Sequence, residues 1–293
     1  MNETLPLVTV VALSYNHEQF LVETLNSIQN QTYKQIQLII LDNNSQDDSV
    51  GKINEWIKTS SLDPLFIPNH KNLGVCAALN LALEHTKGEF FQFISCDDIL
   101  SFNKIELQVS FFHKLPDSLA FIYGNFDFID EHGKVLPEMN RFEKNGWHSV
   151  YDLPAGKIRS EFIQNYSLCA PTLLYRTSCI HAIGRYDEDI PFEDFQMNIR
   201  LLEKYACQGM MEILCQYRVL SNSFYNSTSL LRIERNYLHT MKYVYGYNYQ
   251  QNWVILLRYI STKDGFIYRI LKKILFYIIN LISKEYKREY QIK

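Results

Sequence analysis

Leu7-Val8-Thr9-Val10-Val11-Ala12-Leu13-Ser14-Tyr15-Asn16 decides the fold. Leu7 to Leu13 is an apolar, β-branched run of strand length and far too short to span a membrane. It ends abruptly in the polar Ser14-Tyr15-Asn16. Glu18 to Gln29 follows, with Phe20, Leu21, Leu25 and Ile28 at helical spacing. A buried strand, a polar loop and an amphipathic helix in that order make the first step of an alternating α/β chain.

The alternation continues outward. Ile36 to Leu41 reads as a second buried strand, Ser49 to Ile57 as a helix, and Leu65-Phe66-Ile67 as a short strand. Val75 to His85 reads as a third helix, stopped near Gly88, and Phe90 to Ile94 as another strand. Such a pattern predicts a mostly parallel sheet covered by helices on both faces. Ligands of these sheets bind at the carboxyl ends of the strands, where this chain places its polar clusters. Ser14-Tyr15-Asn16 follows the first strand, Asp42-Asn43-Asn44-Ser45 the second and Ser95-Cys96-Asp97-Asp98 the fourth. Any one cluster reads equally well as loop or helix-cap chemistry; three at equivalent positions point to a site.

From 131 to 192 the pattern is irregular and rich in Gly and Pro, consistent with loops and short strands. Phe192 to Tyr205 reads as a helix and Met210 to Leu220 as a strand. Beyond Ser229 three helices are expected: Leu230 to Tyr247, Trp253 to Ser261, and Phe266 to about Tyr290.

The 293 residues are 47% hydrophobic, enough for a sizeable core, and the net charge of −3 gives no reason to expect nucleic acid. Charge is uneven: Val254 to Lys293 carries nine Lys/Arg against three Asp/Glu, a net of +6, which leaves −9 for the rest. In the last expected helix, Arg269, Lys272, Lys273, Lys284, Lys287 and Arg288 flank an apolar stripe. That pattern can lie on an anionic membrane surface or pack on the domain with its basic face in water. The N-terminus lacks the basic start of a signal peptide, and the apolar run Ile274 to Ile282 is too short to span. The six cysteines form no CxxC pair and read as reduced, buried thiols of a cytoplasmic protein.

The acidic residues suggest chemistry. When a nucleotide diphosphate leaves a sugar it gains negative charge, which a divalent ion bound by carboxylates can neutralise. Asp97-Asp98, directly after a strand, supplies such carboxylates; the plainer alternative is a cap for the helix starting near Phe102, for which Ser101 is better placed. Displacement by an acceptor hydroxyl also needs a base. Glu193-Asp194 opens a helix and could serve, although acids are favoured in a first turn for dipole reasons alone.

Taken together, the motifs resemble the GT-A-fold, family 2 glycosyltransferases, over roughly residues 5 to 220. Val10 to Asn16 resembles the family's first strand and S-Y-N loop, Gln31-Thr32-Tyr33 its Q-T-Y step, and Asp42-Asn43-Asn44-Ser45 its nucleoside loop. Asn72-Leu73-Gly74 with Ala77 to Asn80 is similar to N-x-G-x-x-x-A-x-N, and Gly184-Arg185-Tyr186-Asp187-Glu188 to G-x-F-D-E. Asp97-Asp98 sits at the metal motif and Glu193-Asp194 at the E-D pair. Ser95 stands where the family often has the first Asp of D-x-D-D, and Leu79 where many members have Arg.

The resemblance implies an α/β GT-A, Rossmann-like, mostly parallel sheet flanked by helices over residues 1–220, and a helical C-terminal extension over 221–293. It implies an inverting, metal-dependent transferase of bacterial surface-polysaccharide type, acting in the cytoplasm on a glycan or lipid-linked acceptor, with the basic last helix as the candidate for peripheral contact at the inner face of the membrane. Ser14, Tyr15, Asn16, Asp42, Asn43, Asn72, Gly74 and Asp97 would bind the nucleotide sugar, UDP first, with dTDP or GDP as alternatives. Asp98 and Asp97 would hold Mn²⁺ or Mg²⁺. Asp194, with Glu193, would be catalytic, and Ala170-Pro171-Thr172 would lie near the acceptor. A non-catalytic sugar-nucleotide-binding or scaffold subunit is the alternative that Ser95 keeps open. A dinucleotide oxidoreductase lacks its G-x-G-x-x-G after the first strand.

Overall fold

The structure is a computed structural model. It describes residues 5–136, 141–159, 162, 168–190 and 192–220, all within the first of the two units into which the chain divides, Met1–Ser221 and Asn222–Lys293. The three helices expected after Ser229, and with them the basic amphipathic stripe, lie outside the described residues.

An eight-stranded sheet organises the described part. In chain order its strands are β1 (Val8–Ser14), β2 (Ile36–Asp42), β3 (Leu65–Pro68), β4 (Phe90–Ser95), β5 (Ile99–Leu100), β6 (Leu119–Ile129), β7 (Leu174–Arg176) and β8 (Ala206–Arg218). In space they run β3-β2-β1-β4-β7-β6-β8-β5. β3, β2, β1 and β4 are mutually parallel, as the alternating pattern requires. Beyond β4 the sheet is mixed: β7 runs antiparallel to β4 and β6, β8 parallel to β6, and β5 antiparallel to β8.

The pleat of β1 shows why its sequence is largely apolar. Val8, Val10 and Ala12 enter one core; Val11 and Leu13 enter the other. The first core is closed by α1 (Leu21–Gln29), α2 (Ser49–Thr59) and α4 (Lys104–Phe112), through Leu21, Leu25, Ile28, Ile53, Trp56, Ile105, Val109 and Phe112. The second is closed by α3 (Val75–His85), by the short helix α5 (Arg141–Lys144), and by α6 (Thr177–Ile183) and α7 (Glu193–Lys204), with Ala78, Leu79, Ala82, Phe142, Ile180, Met197 and Leu201. A strand with a core on either side can keep no polar face.

Local detail departs from expectation at two places. Ser101 does not cap α4: its hydroxyl donates to the Ile213 carbonyl (2.8 Å), and Asn103 occupies the cap position without a side-chain bond. Gly88 does more than stop α3. A Cβ there would lie 2.5 Å from the Thr9 amide nitrogen and 2.7 and 2.8 Å from the carbonyl oxygens of Phe90 and Leu7. All three are backbone atoms in or next to β1 and β4, so none can swing aside as a side chain could. Gly88→Ala is expected to lower unfolding free energy by about 1–3 kcal/mol, read as a lower urea midpoint; an unchanged midpoint would show that β1 and β4 can part without cost.

The six cysteines are free and buried, as small hydrophobes. Lys104 is also fully buried, its ammonium held by the side-chain carbonyls of Gln92 (2.6 Å) and Gln108. Burial pulls its pKa down to about 7.

Candidate active site

The parallel register sets the floor of the site. Ser14 lies beside Asp42 across β1 and β2, and Leu13 beside Ser95 across β1 and β4. The three polar clusters therefore emerge side by side at one sheet edge.

The first two clusters bind one another. Asp42, buried, accepts the Ser45 amide (2.9 Å) and hydroxyl, and the Ser45 hydroxyl oxygen accepts the Asn16 amide (2.9 Å). The Asn16 side chain in turn accepts the Gln46 amide at 2.7 Å. Asn16 has a positive φ of 58°, a conformation Asn tolerates better than most residues. Tyr15 is left 42% exposed at the rim. Asn43 turns the other way. Its side-chain oxygen accepts from Asn69 (3.2 Å) and the Leu73 amide (3.0 Å), and its amide group donates to Asn72 (3.0 Å). Asn72 also accepts the Gly74 amide (2.9 Å), and Gly74 adopts φ 78° to begin α3. The side chains of Asn43 and Asn72 thus brace the loop before α3.

α3 carries the bracing across the molecule. Asn80 accepts the Tyr186 amide (2.9 Å) and donates to the Tyr186 carbonyl (3.0 Å) and Glu188 (2.8 Å). Cys76 donates to the Ile190 carbonyl. The two motifs centred on Asn72–Asn80 and Gly184–Glu188 are halves of one contact. It sets the loop that delivers Glu193 and Asp194 at the start of α7. Asp194 accepts the amide of Phe195 at 2.6 Å. Burial first, then the charge of Asp194, pushes Glu193 up to about 8.

The acidic loop after β4 is held from below by Arg218, the last residue of β8, which is 2% exposed. Its backbone amide donates to the Asp98 carboxylate (2.9 Å) and its Nε to the Asp97 carbonyl (2.9 Å). The rest of the guanidinium donates to the carbonyls of Asp130 (3.0 Å) and Glu131 (3.3 Å) and to Glu23 (2.7 Å), and it stacks on Phe20. Asp98 is buried, and burial followed by the charge of Asp97 holds its carboxyl well above the ordinary range. Nothing in the motif pattern singled out Arg218; an arginine closing an apolar strand was the only available signal.

Both acidic pairs act on the same wall. The buried Cys169 thiol is raised by burial, then by Cys215, with smaller contributions from Asp98 and Asp194. The Tyr217 phenol is raised by burial, with contributions from Asp98, Asp97 and Glu193 among others. Charge from both acidic pairs thus reaches the same two buried groups, Cys169 and Tyr217.

Among the described residues, no group of three or more His, Cys, Asp or Glu forms a metal cage by itself. The residues do fit a shared ion: Asp97 retains a buried carboxylate oxygen, Oδ1, with no protein partner, and its charge already weighs on Asp98. A divalent ion would relieve both, with phosphate oxygens completing its shell. Among the described residues no helix is long and apolar enough to cross a membrane.

Comparison with known proteins agrees with the geometry. The family model described as Glycosyl transferase family 2 matches residues 9–178. An uncharacterized glycosyltransferase of Rickettsia felis is 30% identical over 205 residues, covering 69% of this chain and 32% of that protein. The chain thus spans about a third of that relative's length. The Escherichia coli protein named UDP-Glc:alpha-D-GlcNAc-diphosphoundecaprenol beta-1,3-glucosyltransferase WfgD is 32% identical over 129 residues, 44% of this chain and 49% of that protein. Two solved structures share the fold. S. aureus TarS in complex with UDP-GlcNAc has TM-score 0.63 and 17% identity, covering 87% of this chain and 73% of that chain. The mannosyltransferase PcManGT from Pyrobaculum calidifontis, in complex with GDP-Man and Mn²⁺, has TM-score 0.60 and 14% identity, covering 99% and 89%.

Proposed function

The chain belongs to glycosyl transferase family 2, and from that premise we propose that it transfers a sugar from a UDP-linked donor, with inversion, to a glycan or lipid-linked acceptor in cell-surface polysaccharide synthesis. The observation that supports the mechanism is the acidic pair Asp97-Asp98 at the carboxyl end of β4, with an Asp97 carboxylate oxygen buried and without a protein partner, beside Glu193-Asp194 opening α7.

The donor nucleotide lies across the ends of β1 and β4, with the exposed ring of Tyr15 at the base and Ser14 and Asp97 toward the ribose. A divalent ion, Mn²⁺ or Mg²⁺, held by Asp97, Asp98 and the donor's own phosphates, would neutralise charge on the departing diphosphate. Asp194 takes the proton from the acceptor hydroxyl as that oxygen attacks the sugar carbon opposite the leaving group. Glu193, still protonated at neutral pH, adds no second negative charge beside it. The Asn43 and Asn80 networks hold these parts in register. UDP is favoured because a fold neighbour binds UDP-GlcNAc and a relative is named for UDP-Glc, and the latter's diphosphoundecaprenol acceptor supports a lipid-linked one here. A basic tail lying on an anionic membrane would suit such an acceptor.

The test is thermal stabilisation of the full chain by UDP, GDP, CDP and dTDP, with and without Mn²⁺, beside Asp97→Ala. A nucleotide at about a hundred times its dissociation constant adds roughly 2.7 kcal/mol to stability, an easily read shift in Tm. The expected result is a Mn²⁺-dependent shift with UDP that Asp97→Ala abolishes. No shift with any of the four would overturn the donor site and favour a scaffold role.

A further inference from the structure

Lys104 opens α4 and is fully buried, and no ion pair among the described residues includes it. A cation enclosed in a core without a counter-ion is costly, so dipoles must hold it. Two glutamines do so. The ammonium donates to the side-chain oxygen of Gln92 (2.6 Å), on β4, and to that of Gln108, one turn further along α4.

Holding the cation fixes both amides. With each oxygen turned to the ammonium, each nitrogen points away from it. The Gln108 nitrogen donates to the Thr172 carbonyl at 2.8 Å. The Gln92 nitrogen is buried and has no partner. Leaving it unpaired costs free energy, which the charge-assisted bond to the Gln92 oxygen offsets. The cation therefore sets the orientation of the amides, and Gln108 passes it on to Thr172.

The receiving element is weak by itself. Ala170–Thr172 is a single 3₁₀ turn, closed by the Thr172 amide on the Cys169 carbonyl (2.9 Å) and the Leu173 amide on the Ala170 carbonyl (3.0 Å). It feeds β7, which pairs with β4. It also starts beside Cys169, a thiol that the charges of Asp98 and Asp194 reach. One buried chain, Gln92–Lys104–Gln108–Thr172, thus ties this turn to the strand that ends in the acidic loop.

We propose that Lys104 is a positioning residue: its ammonium, acting through Gln108, holds the Ala170-Pro171-Thr172 turn in register with the Asp97-Asp98 loop. The turn's part in transfer rests on the transferase reading above; the coupling does not. Charge is the active ingredient. Burial brings Lys104 down to about 7, so its proton is lost near neutrality. The titratable groups that bear on it are Cys215 of β8 and Cys169 beside the turn, while β4 and α4 present the two glutamine amides. A neutral amine carries a lone pair that accepts an amide N–H, so it no longer requires both glutamine oxygens.

Hydrogen exchange at the Thr172 and Leu173 amides of the full chain tests this, expressed as protection factors so that the intrinsic pH dependence cancels. From pH 6 to pH 8 the wild-type protection should fall about tenfold, the worth of one hydrogen bond. Lys104→Met fills similar space without the charge. Its protection should match the wild type's at pH 8 and stay flat with pH, while its Tm is at or above the wild type's because a buried charge is gone. Lys104→Gln, neutral but polar, should show the same flat loss and serves if the methionine variant does not fold. Equal protection in wild type and variant at pH 6 would overturn the proposal. So would parallel pH curves, which would trace the dependence to Asp98 or Asp194, present in every protein compared. Exchange is read without nucleotide, so a chain that binds no nucleotide loses the transferase reading and keeps this result, and the reverse holds equally.

Discussion

Asp194→Asn is expected to lower the transfer rate by about 10²–10⁴-fold, the usual contribution of a positioned base, while donor affinity stays within about twofold of the wild type's, since an interaction made only in the transition state leaves binding untouched. The substitution is nearly isosteric, and the asparagine oxygen can still accept the Phe195 amide that Asp194 accepts at 2.6 Å. The start of α7 should therefore be retained. Single-turnover rates with the donor selected by the nucleotide screen, alongside donor titrations, separate the two quantities. A variant with the wild-type rate would move the base elsewhere; a variant that loses donor affinity in step with rate would place Asp194 on the donor.

The neighbouring glutamate supplies a pH signature. Burial and the Asp194 charge raise Glu193 to about 8 in the folded chain, against an ordinary value near 4.3. Between those values the folded chain keeps a proton that the unfolded chain releases. The folded state is thus favoured at the acid end, and stability from this group is lost as pH rises through about 8. Glu193→Gln cannot titrate. Urea midpoints measured from pH 5 to 9 should fall more steeply for the wild type than for the variant, and parallel curves would show that Glu193 ionises normally.

Arg218→Ala should give the largest loss of stability of any change at the site, about 3–5 kcal/mol, the range seen when one partner of a buried charged network is removed. The carbonyls of Asp97, Asp130 and Glu131 would lose their donor together, and Phe20 its stacking partner. Glu23 contributes less, because it is half exposed; Glu23→Gln should cost no more than about 1 kcal/mol. The acidic loop would lose its support, and a displacement of 1 Å at a reacting centre can cost about a hundredfold in rate. Arg218→Lys restores the charge without the planar fork and should recover only part of the stability. Urea unfolding of the three variants checks this ordering. Equal midpoints for Arg218→Ala and Glu23→Gln would mean that the carbonyl contacts carry nothing.

The fold was legible wherever periodicity is local. α3 occupies Val75–His85 as its spacing predicted, and β1, β2 and β4 fall within a residue or two of their apolar runs. The eleven-residue strand β6 was not read, because Gly124, Asn125 and Asp127 interrupt its apolar run. Gly124 leaves room there for the Leu214 side chain of β8, which a Cβ would meet at 2.3 Å. The three residues of β7 fall in a stretch read as loops and short strands, whereas the short helix α6 that follows was not read.

The site divides in the same way. The sequence by itself determined which polar clusters end β1, β2 and β4, since these strands, buried on both faces, stay largely apolar until they leave the sheet. Only the tertiary structure decided what those side chains do. Asn43 and Asn80 find partners 26 to 108 residues away and become braces. Arg218 reaches back 120 residues to the acidic loop. Ser14, His17 and Asp97 each keep a buried polar atom without a partner. Hydrogen bonding is directional and short-ranged, so whether a polar side chain is consumed by the fold or left for a ligand depends on neighbours that residue spacing does not encode.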